Sequence, residues 1–259
     1  MQMTGNTILI TGGSSGIGRA LAEALHKEGN QVIVTGRRKA LLDEVTAANP
    51  GMKSAVVDVQ EIGSLDGFAA RMVREFPALN VLINNAGIMK PENLGEGGDF
   101  ADVEATVATN LLAPLRLTAA LLPHLKQQPR ATVMTVSSGL AFLPLALTPT
   151  YCATKAGIHS WTQSLRYQLR GTSVEVKELI PPYVQTELMG PHQTKDPRAM
   201  PLGEFIAEVM EILLTQPEAK EICVKRVSGL RFAAEGGQAK YDEIFEGLNG
   251  AMSAARAEN

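Results

Sequence analysis

The sequence predicts an α/β fold, a doubly wound parallel sheet of about seven strands with helices on both faces. Short apolar runs of the kind that form buried parallel strands alternate with segments of helical periodicity along the whole chain. A glycine-rich turn links the first strand to the first helix. No repeat, linker or low-complexity tract divides the 259 residues, and 45% of them are hydrophobic. We therefore expect a single domain with one sizeable core over 1–259.

Seven apolar runs predict the strands, because runs of this length bounded by polar or turn-forming residues are typical of a parallel sheet. They are TILI at 7–10, QVIVT at 31–35, SAVVDV at 54–59, NVLINNAG at 80–87, ATVMTVSS at 131–138, SVEVKELI at 173–180 and EICVK at 221–225.

The segments between these runs repeat their apolar residues with the period of a helix. In the first of them, Ile17, Leu21 and Leu25 follow that period, and Gly29 ends the helix. Further helices are predicted at 39–48, 64–76, 100–122, 151–169, 204–214 and 241–252.

The turn after the first strand contains Gly12, Gly16 and Gly18 with the spacing G-x-x-x-G-x-G. Glycines at such a turn let the backbone approach a diphosphate, whose charge then lies at the N-terminus of the following helix. The position of the turn, between a strand and an amphipathic helix, favours dinucleotide binding and a Rossmann-type sheet. The alternative is an ordinary tight connection between strand and helix.

Tyr151 and Lys155 are four residues apart in a predicted helix, so their side chains share one face. An ammonium near a phenol favours the phenolate, and we expect the pKa of Tyr151 to fall from about 10 toward neutrality. Such a phenol can give or take a proton. Ser138, at the end of a predicted strand, could hydrogen-bond the same substrate oxygen. The alternative is an exposed lysine one turn after a half-buried tyrosine.

Together with three further matches, these motifs resemble the short-chain dehydrogenase/reductase family. TGGSSGIG at 11–18 matches its cofactor turn, and NNAG at 84–87 matches the segment after its fourth strand. Asn110 lies where the family has a catalytic asparagine in a helix, and Ser138, Tyr151 and Lys155 match its other catalytic residues in type and spacing. The resemblance runs from residue 5 to about 190. Over 137–190 the sequence is similar to the bacterial DltE-type oxidoreductases.

The resemblance implies a catalytic set of Asn110, Ser138, Tyr151 and Lys155. Tyr151 would donate a proton to the substrate oxygen, Ser138 would orient that oxygen, and Lys155 would lower the pKa of the tyrosine and bind the nicotinamide ribose. Asn110 would hold a water that links Lys155 to solvent. The expected cofactor contacts are Gly12, Ser14, Ser15, Gly16, Ile17, Gly18, Arg37, Arg38, Asp58, Val59, Asn85, Ala86, Gly87, Tyr151, Lys155, Pro181, Val184 and Thr186. The family usually has Pro-Gly where this chain has Pro181 and Pro182, so the backbone near the nicotinamide is expected to differ.

The residues after the second predicted strand favour NADP(H) over NAD(H). Gly36 occupies the place where NAD-preferring relatives carry an aspartate, and Arg37 and Arg38 follow it. Two guanidiniums suit a 2′-phosphate. The alternative is a solvated basic turn.

The segment from 139 to 151 contains no charged residue and includes Leu140, Phe142, Leu143 and Leu145. In the family it borders the substrate pocket, so an apolar lining favours a hydrophobic or aromatic ketone; core packing is the alternative. The segment around 187–203, which is rich in glycine and proline, is expected to be a mobile lid over the substrate.

Composition excludes several other classes of function. A net charge of −3 gives no reason to expect nucleic-acid binding, and the four histidines show no metal-ligand spacing. We expect no signal peptide, no apolar run of membrane-spanning length and a cytoplasmic protein with two reduced cysteines. The resemblance implies a small-molecule carbonyl or alcohol as substrate and a homo-oligomer formed by the two long helices. A non-catalytic dinucleotide sensor or scaffold is the alternative function.

Overall fold

Seven strands form one parallel sheet in the computed structural model, which describes residues 1–97 and 100–257. Their order across the sheet is β3-β2-β1-β4-β5-β6-β7, and each neighbouring pair is parallel. This arrangement confirms the predicted doubly wound, Rossmann-type α/β fold. The strands are β1 (Thr7–Thr11), β2 (Gln31–Gly36), β3 (Lys53–Val56), β4 (Leu79–Asn84), β5 (Ala131–Val136), β6 (Val174–Ile180) and β7 (Glu221–Cys223).

The helices alternate with the strands up to β7, and two more follow it. They are α1 (Gly16–Lys27), α2 (Lys39–Ala48), α3 (Leu65–Glu75), α4 (Phe100–Val107), α5 (Ala113–Leu125), α6 (Pro149–Gln168), α7 (Leu202–Thr215), α8 (Ser228–Arg231) and α9 (Gln238–Ala257). Five residues of π-helix, Ala108–Leu112, join α4 to α5 without a break.

The sheet is buried on both faces, as its nearly continuous apolar strands require. Ile8 and Ile10 of β1 belong to one core, which includes residues of α1, α2 and α7. Leu9 points to the opposite face and belongs to a second core, which includes residues of α3, α5 and α6. The two layers of helices therefore enclose the sheet.

The order of the strands reverses at β1 and β4. The chain adds β2 and β3 on one side of β1 and then crosses to place β4 on the other, where Ile8 pairs with Val81. Ligands of such sheets bind outside the carboxyl ends of the strands at this switch point. The loops after β1, β2, β4 and β5 therefore lie around one crevice.

Four strands end earlier than their apolar patterns predict: β3 at Val56, β4 at Asn84, β5 at Val136 and β7 at Cys223. After β3 and β4, the polar residues that were predicted to continue the strands make hydrogen bonds outside the sheet. The side chain of Asp58 accepts from Gln60 N, and the backbone nitrogen of Asn85 donates to the hydroxyl of Thr11.

The helix predicted over 100–122 continues to Leu125 and includes Pro123 and the π segment. Phe100–Leu125 is also long and apolar enough to cross a membrane by length and composition, which corrects the expectation that no segment approaches that length. Buried core helices meet the same criterion, and Leu117, Leu121 and Leu125 are buried in the second core.

Candidate active site

A cleft of about 700 Å³ lies at the carboxyl ends of β1, β2, β4, β5 and β6. All the predicted site residues line it except Asn110. The cleft runs from the glycine-rich turn and the end of β2 to the N-terminal part of α6, where Tyr151 and Lys155 lie. The fold therefore brings together residues that are more than 170 positions apart in the sequence, from Gly12 to Thr186.

The glycine-rich turn is fixed against the loop after β4. Gly12 and Gly16 have φ of +69° and +54°, a region that favours glycine. The side-chain amide of Asn85 donates to the carbonyls of Thr11 at 2.9 Å and Gly12 at 3.2 Å. A Cβ on Gly18 would overlap both that amide and the carbonyl oxygen of Gly12. Glycine is therefore required at 18 for packing.

The N-terminus of α1 opens into the cleft. The helix begins at Gly16, and the side chain of Ser15 at its N-cap makes no capping hydrogen bond. The first backbone N–H groups of a helix have no intrahelical partner, and its dipole favours an anion there. Nη2 of Arg38 donates to Oγ of Ser15 at 3.2 Å, which brings a positive charge to the same end.

The end of β2 carries positive charge beside the cleft. No side chain stands at Gly36, and a Cβ there would come no closer than 3.4 Å to Oγ of Ser14. The side chain of Arg37 is 57% exposed and its Nη1 is 3.8 Å from the carboxylate of Asp58. At that distance and exposure the pair is weak. Arg37 can therefore turn to a ligand anion, and the exposed Arg38 adds a second positive charge at the same place.

Tyr151 and Ser138 meet at the inner end of the cleft. Both are buried, and Oγ of Ser138 accepts from Leu140 N at 3.1 Å at the start of a short 3₁₀ turn. Glu92 fixes the N-terminus of α6 from a separate loop, because its two carboxylate oxygens accept from the backbone nitrogen and the hydroxyl of Thr150. Tyr151, the next residue, is positioned by that cap.

Burial raises the pKa of Tyr151, whereas the sequence led us to expect a pKa near neutrality. A hydrogen bond with Ser138 lowers the pKa of Tyr151, but desolvation raises this pKa by more. Lys155 is not among the groups that shift the pKa of Tyr151. Nζ of Lys155 is 5.5 Å from the centre of the tyrosine ring. The phenol is therefore protonated at neutral pH in this form of the protein.

Burial has the opposite effect on Lys155, lowering its pKa to about 8. The negative charge of Glu178 opposes that shift but is the smaller effect. Nζ of Lys155 donates to the carbonyl of Val136 at 2.7 Å, and a Cβ on Gly87 would be 3.7 Å from it. The ammonium thus lies between the loop after β4 and the end of β5.

Asn110 lies behind the cleft in the π segment. Its Oδ1 accepts from Ile88 N at 2.9 Å and its Nδ2 donates to the carbonyl of Ile88 at 2.8 Å. Nδ2 also lies 3.3 Å from Oγ1 of Thr154, whose hydroxyl donates to the carbonyl of Tyr151. In this structure the side chain joins the loop after β4 to α6. Its role in holding a water stays a prediction.

Part of the segment predicted to be a lid lines the cleft, including Leu188, Met189 and Gln193. Residues Pro191–Lys195 form a 3₁₀ turn, and Val184 pairs with Met200. The buried amide of Gln193 donates to the carbonyl of Val184 at 2.7 Å and to the hydroxyl of Thr186 at 3.1 Å. The segment is thus attached to a predicted cofactor residue, and its mobility stays a prediction.

Sequence analysis missed the contribution of α9 to the cleft. Leu248, Ala251 and Met252 line it together with Tyr151. Leu248 and Met252 pack against the apolar cluster that contains Met89, Leu145, Tyr151 and Cys152. The apolar spacing along 241–252 predicts an amphipathic helix, but nothing local says which surface that helix covers.

A polar cluster that sequence spacing did not reveal lies near Lys155. Nδ1 of His159 is within 3.0 Å of both carboxylate oxygens of the fully buried Glu178, and Glu221 completes a group whose ligand atoms lie within 4.8 Å. Arg231 donates two hydrogen bonds to Glu221, at 2.7 and 3.1 Å. The guanidinium neutralises that carboxylate and makes the group a poor cation site.

A family model for short chain dehydrogenases matches residues 6–197. The chain belongs to this family of oxidoreductases. It is 42% identical over 253 residues to an uncharacterized oxidoreductase, DltE, of Bacillus subtilis, covering 96% of this chain and 98% of that protein. It is 30% identical to a short chain dehydrogenase of Pseudocercospora fijiensis, over 85% of this chain and 78% of the relative.

Solved structures of the same family share the fold. A short-chain dehydrogenase of Sphingobium yanoikuyae in complex with NADPH has a TM-score of 0.77 and 25% identity, and the match covers 96% of this chain and 95% of that one. A short chain dehydrogenase of Burkholderia cenocepacia in complex with NADP has a TM-score of 0.81 and 23% identity, over 95% and 99% of the two chains.

Proposed function

We propose that this chain is an NADP(H)-dependent oxidoreductase that transfers a hydride between the nicotinamide and a carbonyl compound or secondary alcohol. The observation that carries the proposal is the position of Tyr151 and Ser138 at the inner end of a cleft whose other end is a glycine-rich turn with two arginines. The catalytic set is Asn110, Ser138, Tyr151 and Lys155.

The chemistry of the cleft fits a dinucleotide phosphate. The uncapped N-terminus of α1 suits the diphosphate, and Arg37 and Arg38 suit a 2′-phosphate beside Gly36. Asp58 and Val59 would contact the adenine, and Asn85, Ala86, Gly87 and Thr186 the nicotinamide half. The NADPH complex of the Sphingobium relative supports the same choice. When bound, the cofactor supplies the hydride that the carbonyl carbon accepts.

The side chains of this chain manage the proton. Tyr151 donates it to the carbonyl oxygen, because burial raises the pKa of its phenol and keeps it protonated at neutral pH. Ser138 stabilises the same oxygen by a hydrogen bond. The charge of Lys155 favours the phenolate that remains once the proton has left. A phenol that starts protonated suits reduction of a carbonyl better than oxidation of an alcohol.

The carbonyl compound is proposed to be a hydrophobic or aromatic ketone. Leu140 and Leu145 line the cleft beside Tyr151, and Met89 and Met189 lie on the same side. Two charged lining residues are already paired: Lys90 lies 3.8 Å from Asp102, and Arg198 lies 2.7 Å from Asp196. A neutral, apolar substrate fits this lining best.

The test is oxidation of NADPH by the purified protein in the presence of a panel of aromatic and aliphatic ketones. We expect a ketone-dependent rate that saturates, with aromatic and long-chain ketones preferred. Tight NADPH binding without oxidation by any ketone would contradict catalysis and favour a sensor or scaffold.

A further inference from the structure

We propose that α9 is a hinged wall of the substrate site and selects carbonyl compounds that carry an extended apolar substituent. This inference rests on the proposed function, because it assigns a substrate class to the same cleft. Leu248 and Met252 are the residues of α9 that would contact the substituent.

The first observation is the surface that α9 covers. Leu248 and Met252 line the cleft and pack on the cluster around Tyr151, but both remain partly exposed. Met89 and Met189 line the cleft on the same side. The side chains of Met89, Met189 and Met252 are flexible, so this side of the cleft can adapt to apolar groups of different shape.

The second observation is how lightly α9 is held. Among the side chains of α9 that the structure describes, 238–252, none is buried. By contrast, α6 buries seven residues and α7 buries four. A helix that rests on the protein without buried anchors opens at low cost in free energy.

The third observation is that Asn249 hydrogen-bonds α9 to a neighbouring loop and that two glycines precede the helix. Oδ1 of Asn249 accepts from Ala146 N at 2.6 Å, and its Nδ2 lies 3.3 Å from the carbonyl of Pro144. Both partners belong to the apolar loop that carries Leu145. At the other end, α9 follows two successive glycines, and Gly237 has a φ of +83°. The helix can therefore swing about this glycine pair while Asn249 sets its closed position.

The variant Leu248→Ser/Met252→Ser tests the wall, with Glu246→Ser on the exposed face of α9 as the matched control. The readout is the ratio of kcat/KM for octan-2-one to that for butan-2-one. Each buried methylene is worth about fourfold, so a partly closed wall should give the native protein a preference on the order of tenfold or more. The double variant should lose most of it, and the control should keep it.

The role of Asn249 is tested by hydrogen exchange. In the native protein, the amides of α9 should exchange faster than those of α6 and become protected when NADP⁺ and octan-2-ol are both present. Asn249→Ala should raise exchange in α9 without changing that in α6. Protection of α9 equal to that of α6 before any ligand is added would overturn the hinge.

A binding measurement separates failure of this inference from failure of the proposed function. Calorimetry of octan-2-ol binding to the NADP⁺-saturated protein needs no turnover. If no ketone is reduced, yet octan-2-ol binds and the double variant weakens it, the reaction is wrong and the wall stands. If octan-2-one is reduced with the same preference in native and double-variant proteins, α9 is not the wall.

Discussion

Tyr151 and Lys155 respond to burial in opposite directions, and this sets the state of the candidate site. Desolvation raises the pKa of the phenol and lowers the pKa of the ammonium to about 8. Near neutral pH the tyrosine therefore holds its proton and the lysine its charge. Sequence spacing identified both residues but gave the wrong direction for the tyrosine, because burial is set by the whole fold.

Glu178→Gln should narrow the pH range of activity. The negative charge of Glu178 raises the pKa of Lys155 against desolvation, so its removal should lower that pKa from about 8. Lys155 would then lose its positive charge at a lower pH. The alkaline limb of the pH–rate profile for reduction should therefore move to lower pH. Measuring kcat between pH 6 and about 10 checks this. The glutamine can still accept the hydrogen bond from His159.

The groups around Lys155 define the control for that experiment. Tyr151 and His159 share its helix, Glu178 faces it from β6, and Glu221 and Arg231 form a pair on β7 and α8. Glu221→Gln removes a neighbouring carboxylate that is not among the causes of the Lys155 shift. Equal shifts of the alkaline limb in both variants, or none in Glu178→Gln, would contradict the assignment.

Gly36→Asp combined with Arg37→Ala should reverse the cofactor preference. A Cβ at Gly36 has room, and the new carboxylate would repel a 2′-phosphate while suiting a ribose hydroxyl. A charge-assisted hydrogen bond is worth roughly 1.5–3 kcal/mol, or about a tenfold to hundredfold preference. Fluorescence titration with NADPH and NADH measures both affinities. Equal affinities in the native protein would show that the arginines are only a solvated turn.

At the scale of elements, sequence pattern predicted every strand in the described part of the chain and the main helices, but it placed several of their ends wrongly. Apolar runs mark where a strand is buried. Asp58, Asn85 and Ser138 lie within segments predicted as strands, but they make hydrogen bonds outside the sheet, so the strands end before them. The π segment around Asn110 has no sequence signature, so one continuous α-helix was predicted there. These departures all lie beside the cleft.

Gly18→Ala tests whether the first turn depends on close packing. The added Cβ would overlap the amide of Asn85, which bonds Thr11 and Gly12, so the free energy of unfolding should fall by about 1–3 kcal/mol. Gly67→Ala in α3 is the matched control, because nothing lies within 4 Å of its Cβ. It should stabilise the protein by up to about 1 kcal/mol. Denaturant unfolding measures both, and equal effects would contradict the packing argument.

For the whole molecule, sequence predicted the sheet and a set of site residues that all line one cleft except Asn110, since the turn and the tyrosine motif have fixed positions in such a fold. What it could not predict is how distant segments meet. Asn249 bonds Ala146 across 103 residues, and His159 meets Glu221 beside a buried carboxylate. No local pattern specifies such contacts, because they follow from the packing of the C-terminal elements on the finished sheet.

Association through the two long helices stays a prediction, and their exposed residues offer a test. Phe100, Leu112 and Tyr167 are 73%, 45% and 66% exposed. We expect a symmetric dimer or tetramer by light scattering at micromolar concentration. Leu112→Glu/Tyr167→Glu should yield monomers, whereas Leu214→Glu on α7 should not. A native protein that is monomeric under these conditions would contradict the prediction.

Tyr151→Phe tests the proposed chemistry most directly, since it keeps the buried ring and removes the proton. Turnover of NADPH with a ketone substrate should fall on the order of 100-fold or more, while NADPH affinity changes little. Tyr183→Phe is the matched control, because that tyrosine lines the same cleft but donates to Asp196. It should keep most of the native rate. Turnover of Tyr151→Phe close to that of the native protein would contradict Tyr151 as the proton donor.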